Sequence, residues 1–555
     1  MPELSATPPP TGPPTGAPGA RRAVGLPRRV LAPHAIARWA AEAPDRVALQ
    51  HVDGDTVTYG ELDRRCRRWA AAYRRLGVTS GEHVATMLAN GPDAYCAWIG
   101  LGWLTAIEVP LNPALKGRLL AEVLDDCGAS LIVVGEAMAA EVLAVAPSLP
   151  GLRRLVVLDD GSGADLPAPP PGLEVVDGAT FLSVDPAADL DGPEYRDIGA
   201  LLYTSGTTGR SKGVRVPWAT VYHMWSWAPA DAFGEGEGLY CAFSMFHNSG
   251  KSSLNQAMAR GARFVWRDRF SAAEFLDDVR RADCVCAAIV GPMLAYLYSL
   301  PERPDDADTP LRAMVVGPMI PEIDSLKRRF GVQVCTCYGT TETGAILATG
   351  WDHGPAATCG RQRPDYPWPE VRVVDDHDEP LGPGEVGELV VRTAEPWALN
   401  DGYHRQAERT VEAWRNGWFH TGDAFRYDED GWYYLVDRLS DAIRRRGENI
   451  SSFEIEQILR DHPAVADCAA VGVPADFGEE EVLVVVEAAD PAGFDPAELL
   501  AWAAERLPRH MVPRYLQRTA GLPRNETSLR VQKFKLRAAG LPAGVWDRQA
   551  SAPSD

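Results

Sequence analysis

The 555-residue sequence is short of three things, and each shortage excludes a class. No apolar run reaches membrane-spanning length: the nearest, 95–111, is interrupted by Glu108 and Pro110, so no membrane partner is expected. No apolar core follows the first residues, which excludes a secretory signal of the usual kind. Basic side chains are outnumbered, 55 against 76 acidic, for a formal charge of −21, which excludes a general nucleic-acid binder. Ten cysteines are scattered without a metal or disulfide framework; Cys284/Cys286 and Cys335/Cys337 are one residue apart, a spacing that puts each pair on one face of a strand. Buried free thiols in a reducing cytoplasm are the expectation.

What remains is ordinary globular material, 46% hydrophobic and 24% charged, and too long for one core. Residues 1–24, rich in Pro, Gly, Ala and Thr, read as a disordered tail ending in basic residues. Short apolar strands then alternate with amphipathic helices. Thr58 and Glu61 form a capping-box pattern opening a helix to Leu76, stopped by Gly77. Strands are predicted at 84–88, 131–134, 155–158, 200–203, 314–316 and 332–335. The alternation predicts a large α/β domain, 25–438, of parallel-rich sheets with flanking helices. A smaller α+β unit, 439–540, follows: a helix over 453–459, strands over 465–473 and 482–488, and a helix over 496–507. Residues 541–555 form a tail. No feature specifies an oligomeric state.

The chemistry concentrates at Leu201 to Val214. An apolar strand leads into Thr204-Ser205-Gly206-Thr207-Thr208-Gly209-Arg210-Ser211-Lys212-Gly213. Backbone N–H groups, the hydroxyls of Thr204, Ser205, Thr207 and Thr208, and the Lys212 ammonium suit a polyphosphate. The nucleotide-hydrolase P-loop is excluded, because Ser211 stands where its glycine belongs; a flexible Ser/Thr/Gly linker is the plain alternative. Further on, Tyr338-Gly339-Thr340-Thr341-Glu342 combines an aromatic, a glycine turn, hydroxyls and a carboxylate, and Thr421-Gly422-Asp423 precedes Tyr434-Leu435-Val436-Asp437-Arg438.

Tyr-Thr-Ser-Gly-Thr-Thr-Gly with Lys-Gly, followed in order by these motifs, resembles the adenylate-forming superfamily of acyl-CoA synthetases, luciferases and peptide-synthetase adenylation domains. The resemblance covers roughly residues 30–540 and is nearest the carnitine and crotonobetaine CoA-ligase branch. It implies a C-terminal domain that rotates between adenylating and thioester-forming poses. It also implies that Thr204 to Gly209 and Lys212 hold the phosphates, Gly317 lies beside adenine and the acyl pocket, and Tyr338-Gly339-Thr340 flank the nucleotide. Thr341 would meet the α-phosphate, Glu342 would hold Mg²⁺, and Asp423 and Arg438 would take the ribose. Phe246 and His247 would border the acyl pocket and gate the thiol tunnel.

The chain departs from the family in several places. Ser211 replaces a usual proline, Val-Gly-Pro-Met replaces Gly-Gly-Ala-Pro around Gly317, Ser440 takes the hinge, and Arg446 replaces the first glycine of Gly-Gly-Glu-Asn-Ile. Arg444 to Arg446 would serve CoA phosphates or form a solvated basic turn. Arg530 falls on the family's catalytic lysine, with Lys533 three residues away as a deputy; a planar guanidinium is not a compact ammonium. After Phe246-His247 the segment Asn248-Ser249-Gly250-Lys251 is polar, so Asn248 and Lys251 are read as lining a pocket for a small or aromatic polar substrate, against the alternative that Lys251 points to solvent.

The expected function is an ATP- and Mg²⁺-dependent ligase that activates a small or aromatic acid as its AMP ester and transfers it to CoA. One alternative is a diazotase of secondary metabolism, activating nitrite for an aryl amine. Another is a nucleotide-binding protein without turnover.

Overall fold

The computed structural model describes residues 25–204, 211–317, 319, 323–375, 377–438, 442–445, 448–475, 479–523, 531, 533–542 and 544–550. The N-terminal tail, Ser205 to Gly209, Ser440, Arg446 and Arg530 lie outside these residues.

Two large sheets form the body. The first has seven strands, its core running in parallel through Glu174–Asp177, Arg154–Leu158, Leu131–Gly135, His83–Met87, Ile107–Pro110 and Ile198–Thr204. It ends in an antiparallel pair of Ile198–Thr204 with Lys212–Pro217, which sets Thr204 opposite Lys212. The second has eight strands, also parallel at its centre, where Cys284–Val290, Ala313–Gly317 and Gln333–Thr340 lie side by side. These central strands are nearly all apolar because both faces are covered. Both members of each closely spaced cysteine pair, except the half-buried Cys337, lie in the core, and all ten thiols are free.

The helix Tyr59–Arg75 starts at Thr58, whose hydroxyl accepts from the Glu61 N–H at 3.2 Å. Glu61 itself pairs with Arg65 one turn on. Its apolar stripe, Leu62, Cys66, Trp69 and Tyr73, is buried as the spacing predicts.

A third layer was not anticipated. Pro369–Val374, Gly387–Thr393, Phe419–Tyr427 and Tyr433–Arg438 form a four-stranded antiparallel sheet inside the segment read as parallel α/β. Alternate residues of its first two strands, Val371 and Val373, Leu389 and Val391, pack into one apolar cluster, as the strand period of two requires. After residue 441, a hairpin of Ala442–Arg445 with Glu448–Ser451 leads into the helix Ser452–Arg460 and a four-stranded sheet built on Val465–Pro474 and Glu480–Ala488. The apolar core of this unit takes in Leu119 from the helix Gly117–Cys127, and Arg118 pairs with Asp461 at 3.0 Å. Among the described residues, no helix is long and apolar enough to cross a membrane.

Candidate active site

The three layers and the C-terminal unit meet at one cleft of about 810 Å³. Thr204, Lys212, Phe246, His247, Asn248, Tyr338, Gly339, Thr340, Thr341, Glu342 and Asp423 all line it. Gly317 ends its strand away from the lining, and Arg438 is placed by its backbone opposite Asp423.

Crossing segments build the wall around Lys212 and Glu342. Lys212 opens the strand Lys212–Pro217, its Nζ 5.1 Å from the ring centre of Tyr403. The Tyr403 hydroxyl donates to Glu342 Oε1 at 3.3 Å, while Oε2 has no partner among the described residues. Asn400 holds the loop from behind, its backbone N–H and Nδ2 both donating to the Glu342 carbonyl at 2.8 and 3.0 Å. Gly339 is required by space: a Cβ there would sit 2.2 Å from the Gly344 carbonyl oxygen. Asn400 and Tyr403 carry no motif, and sequence reasoning missed them.

Beside Asp423, Tyr338 lies edge-on to Phe425, with ring centres 4.7 Å apart, and its hydroxyl donates to Asp423 Oδ2 at 2.5 Å. The Asp423 turn is held by Glu388, which accepts from the Gly422 N–H at 2.9 Å and pairs with His420 at 2.8 Å. Aromatic face, carboxylate and turn therefore share one corner.

Where the C-terminal unit meets the cleft, His247 Nε2 lies 3.3 Å from Glu448 Oε2, and the Phe246 and His247 rings are tilted at 48° with centres 4.3 Å apart. Burial alone would raise Glu448, but the His247 charge and hydrogen bond, with His510 beside them, hold it at about 2.

Three basic residues sit elsewhere than expected. Lys251 neither lines the cleft nor reaches solvent: it is fully buried in the helix Asn248–Arg260, ion-paired with Glu108, and 4.6 Å from the Trp98 ring. Glu108 also accepts from the Thr86 hydroxyl at 2.7 Å. The Ser252 and Ser253 hydroxyls are buried at little cost because both donate to the Ser249 carbonyl. Arg445 is no phosphate ligand either; it is buried, donating to the His510 and Val512 carbonyls and pairing with Glu481 at 2.7 Å. Only Arg444 of that run lines the cleft among the described residues. Lys533 is committed to Ser452 and Glu456, at 2.7 and 2.6 Å, and is not a cleft residue.

Ser211 has a partner a proline could not have. Its hydroxyl donates to Glu454, which the helix Ser452–Arg460 brings against the start of the strand Lys212–Pro217. Burial, opposed by the Ser211 hydrogen bond and reinforced by Glu122, pushes Glu454 up from 4.5 to about 7. The docked carboxyl thus keeps a proton that the undocked one releases. Docking of the C-terminal unit should weaken as pH rises from about 4.5 to about 7, by on the order of 3 kcal/mol, and level off above. A fluorescence distance between labels on the two units, followed from pH 5 to 8, should show this slope, and Glu454→Gln should flatten it.

The profile of the AMP-binding enzyme family matches residues 36–404, and that of the AMP-binding enzyme C-terminal domain matches 454–528. The chain belongs to the AMP-binding enzyme family. It is an ATP-dependent ligase of the acyl-CoA-ligase kind, releasing AMP and pyrophosphate. The chain is 30% identical over 482 residues to a crotonobetaine/carnitine–CoA ligase of Salmonella paratyphi B, covering 84% of this chain and 90% of the relative. In fold it is similar to an o-succinylbenzoate CoA synthetase of Bacillus subtilis (24% identical, TM-score 0.77, covering 91% and 98% of the two chains). It is also similar to an amide bond synthetase of Marinactinospora thermotolerans (26%, TM-score 0.75, 91% and 99%).

Proposed function

We propose that this ligase activates a small or aromatic carboxylic acid as its AMP ester and transfers the acyl group to CoA. The observation that carries the reading is one cleft lined by two chemically distinct sets of residues. Lys212, Thr341, Glu342, Tyr338 and Asp423 line it, and so does His247, which meets Glu448 of the C-terminal unit.

A carboxylate oxygen of the acid attacks the α-phosphorus of ATP and pyrophosphate leaves; the CoA sulfur then attacks the acyl carbon and AMP leaves. Lys212 and the hydroxyls of Thr204 and Thr341 bind phosphate oxygens through charge and hydrogen bonds. Tyr338 flanks the base, and Asp423 and Arg438 take the ribose hydroxyls. The donor set suits Mg²⁺, which is usually held by one or two carboxylates together with phosphate oxygens: Glu342 presents one oxygen with no protein partner, and no cage of three or more His, Cys, Asp or Glu occurs among the described residues. Mg²⁺ would supply charge neutralisation on the triphosphate. Arg530 would serve the reacting oxygens in place of the family lysine, because Lys533 is tied to its own unit.

The similarity to an amide bond synthetase supports a second acceptor, an amine taking the acyl group directly. Nothing in the relatives supports the nitrite route, and it is not carried further. The test is a product screen by mass spectrometry with ATP, a panel of acids, and CoA or amines. An acid-dependent CoA thioester is expected. Amides without thioester would move the acceptor to an amine, and no acid-dependent pyrophosphate would overturn acid activation.

A further inference from the structure

The first side chain of the helix Asn248–Arg260 is chemically unfinished. Asn248 lines the cleft, is 3% exposed, and neither its amide oxygen nor its amide nitrogen has a hydrogen-bond partner among the described residues. The apolar lining of the same cleft, including Pro110, Leu111, Leu202, Met224 and Phe246, offers it none. An unpaired buried amide is destabilising, and buried polar groups are nearly always satisfied.

The amide has no easy escape. Two residues on, a Cβ at Gly250 would lie 2.3 Å from the Ser244 carbonyl oxygen, so the helix start is pressed against that backbone. One turn on, Lys251 is buried and paired with Glu108. The helix start therefore cannot shift to carry Asn248 into water without breaking that packing.

We propose that Asn248 is a specificity residue, whose amide pairs with an uncharged group on the body of the acid that both donates and accepts a hydrogen bond, a hydroxyl or a carboxamide. This rests on the proposed activation of a carboxylic acid. The group is uncharged because the ionic side chains flanking Asn248 on its own segment are already compensated, His247 by Glu448 and Lys251 by Glu108. A quaternary ammonium has no N–H to give the amide oxygen and cannot accept from the amide nitrogen. A site built to hydrogen-bond a substrate group rejects the analogue lacking it far more strongly than an apolar pocket rejects a missing methyl.

The test uses the full chain and acid-dependent pyrophosphate release, with 3- and 4-hydroxybenzoate set against the methylbenzoates, carboxamide-bearing acids against their methyl ketones, and crotonobetaine as the cationic arm. For the wild type, kcat/KM should favour the hydrogen-bonding member of at least one pair by about 100-fold or more. Asn248→Leu, close in size, should bring that ratio within about tenfold, chiefly by raising KM for the polar acid, with the melting temperature as fold control. Should the Leu variant melt early, Asn248→Ser keeps one hydroxyl without the paired geometry and should still lose most of the preference. Activation of apolar acids without any preference, an unchanged ratio in both variants, or a preference for crotonobetaine would overturn the proposal while leaving acid activation standing. No activation of any acid by the wild type would overturn both.

Discussion

Replacing Lys212 or Glu342 by alanine should lower ATP–pyrophosphate exchange by about 10²–10³-fold each, the size seen when one preorganised charge-stabilising group is removed. Both side chains lie at the cleft rather than in the core, and each is placed by neighbours that stay behind: Tyr403 under the ammonium, Asn400 behind the Glu342 backbone. Melting temperatures should therefore hold while the first half-reaction fails. Exchange at the wild-type rate in both variants would remove these two residues from the proposed phosphate-binding set.

The opposite pattern is expected at Lys251. Lys251→Met leaves the Glu108 carboxylate fully enclosed with only the Thr86 hydroxyl for company, and breaking a buried pair by removing one partner costs about 3–5 kcal/mol. The melting temperature should drop by about 5–10 °C. The double variant Lys251→Met/Glu108→Gln should recover most of that loss, because the amide keeps an acceptor for Thr86 and no charge remains buried. If the double variant is no more stable than the single, the pair is not what makes Lys251 matter.

That lysine also shows where a linear reading stops. Asn-Ser-Gly-Lys-Ser-Ser looks like a polar wall, and its burial depends on a carboxylate 143 residues earlier. Half the signal was present in Glu108, an acid interrupting an apolar run, but nothing local pairs the two. That Thr204, Lys212, Tyr338 to Glu342 and Asp423 share one cleft was legible because each motif packs several chemical groups into contiguous residues. The parallel strands were legible because they are short, apolar and regularly spaced by helices. Asn400, Tyr403 and Glu454 were not, since each acts across 58 to 243 residues of chain. The antiparallel sheet of Pro369–Arg438 was hidden by its weaker alternating pattern. Arg445 looked like one of three equivalent cations until its partners His510, Val512 and Glu481 were known.

The segment Asn400 to His404 ties Glu342, Gly213 and Arg215 together by backbone and side-chain hydrogen bonds. Its bearing on biosynthesis is one of timing. Asp401 follows its partner Arg215 by 186 residues. At about 5–20 residues per second, the ribosome delivers it roughly 10 to 40 s later. Through that interval a nascent chain holds the strand Lys212–Pro217 without the segment that seats it. A pause or truncation before residue 400 would thus release a chain with both large sheets but no competent nucleotide site.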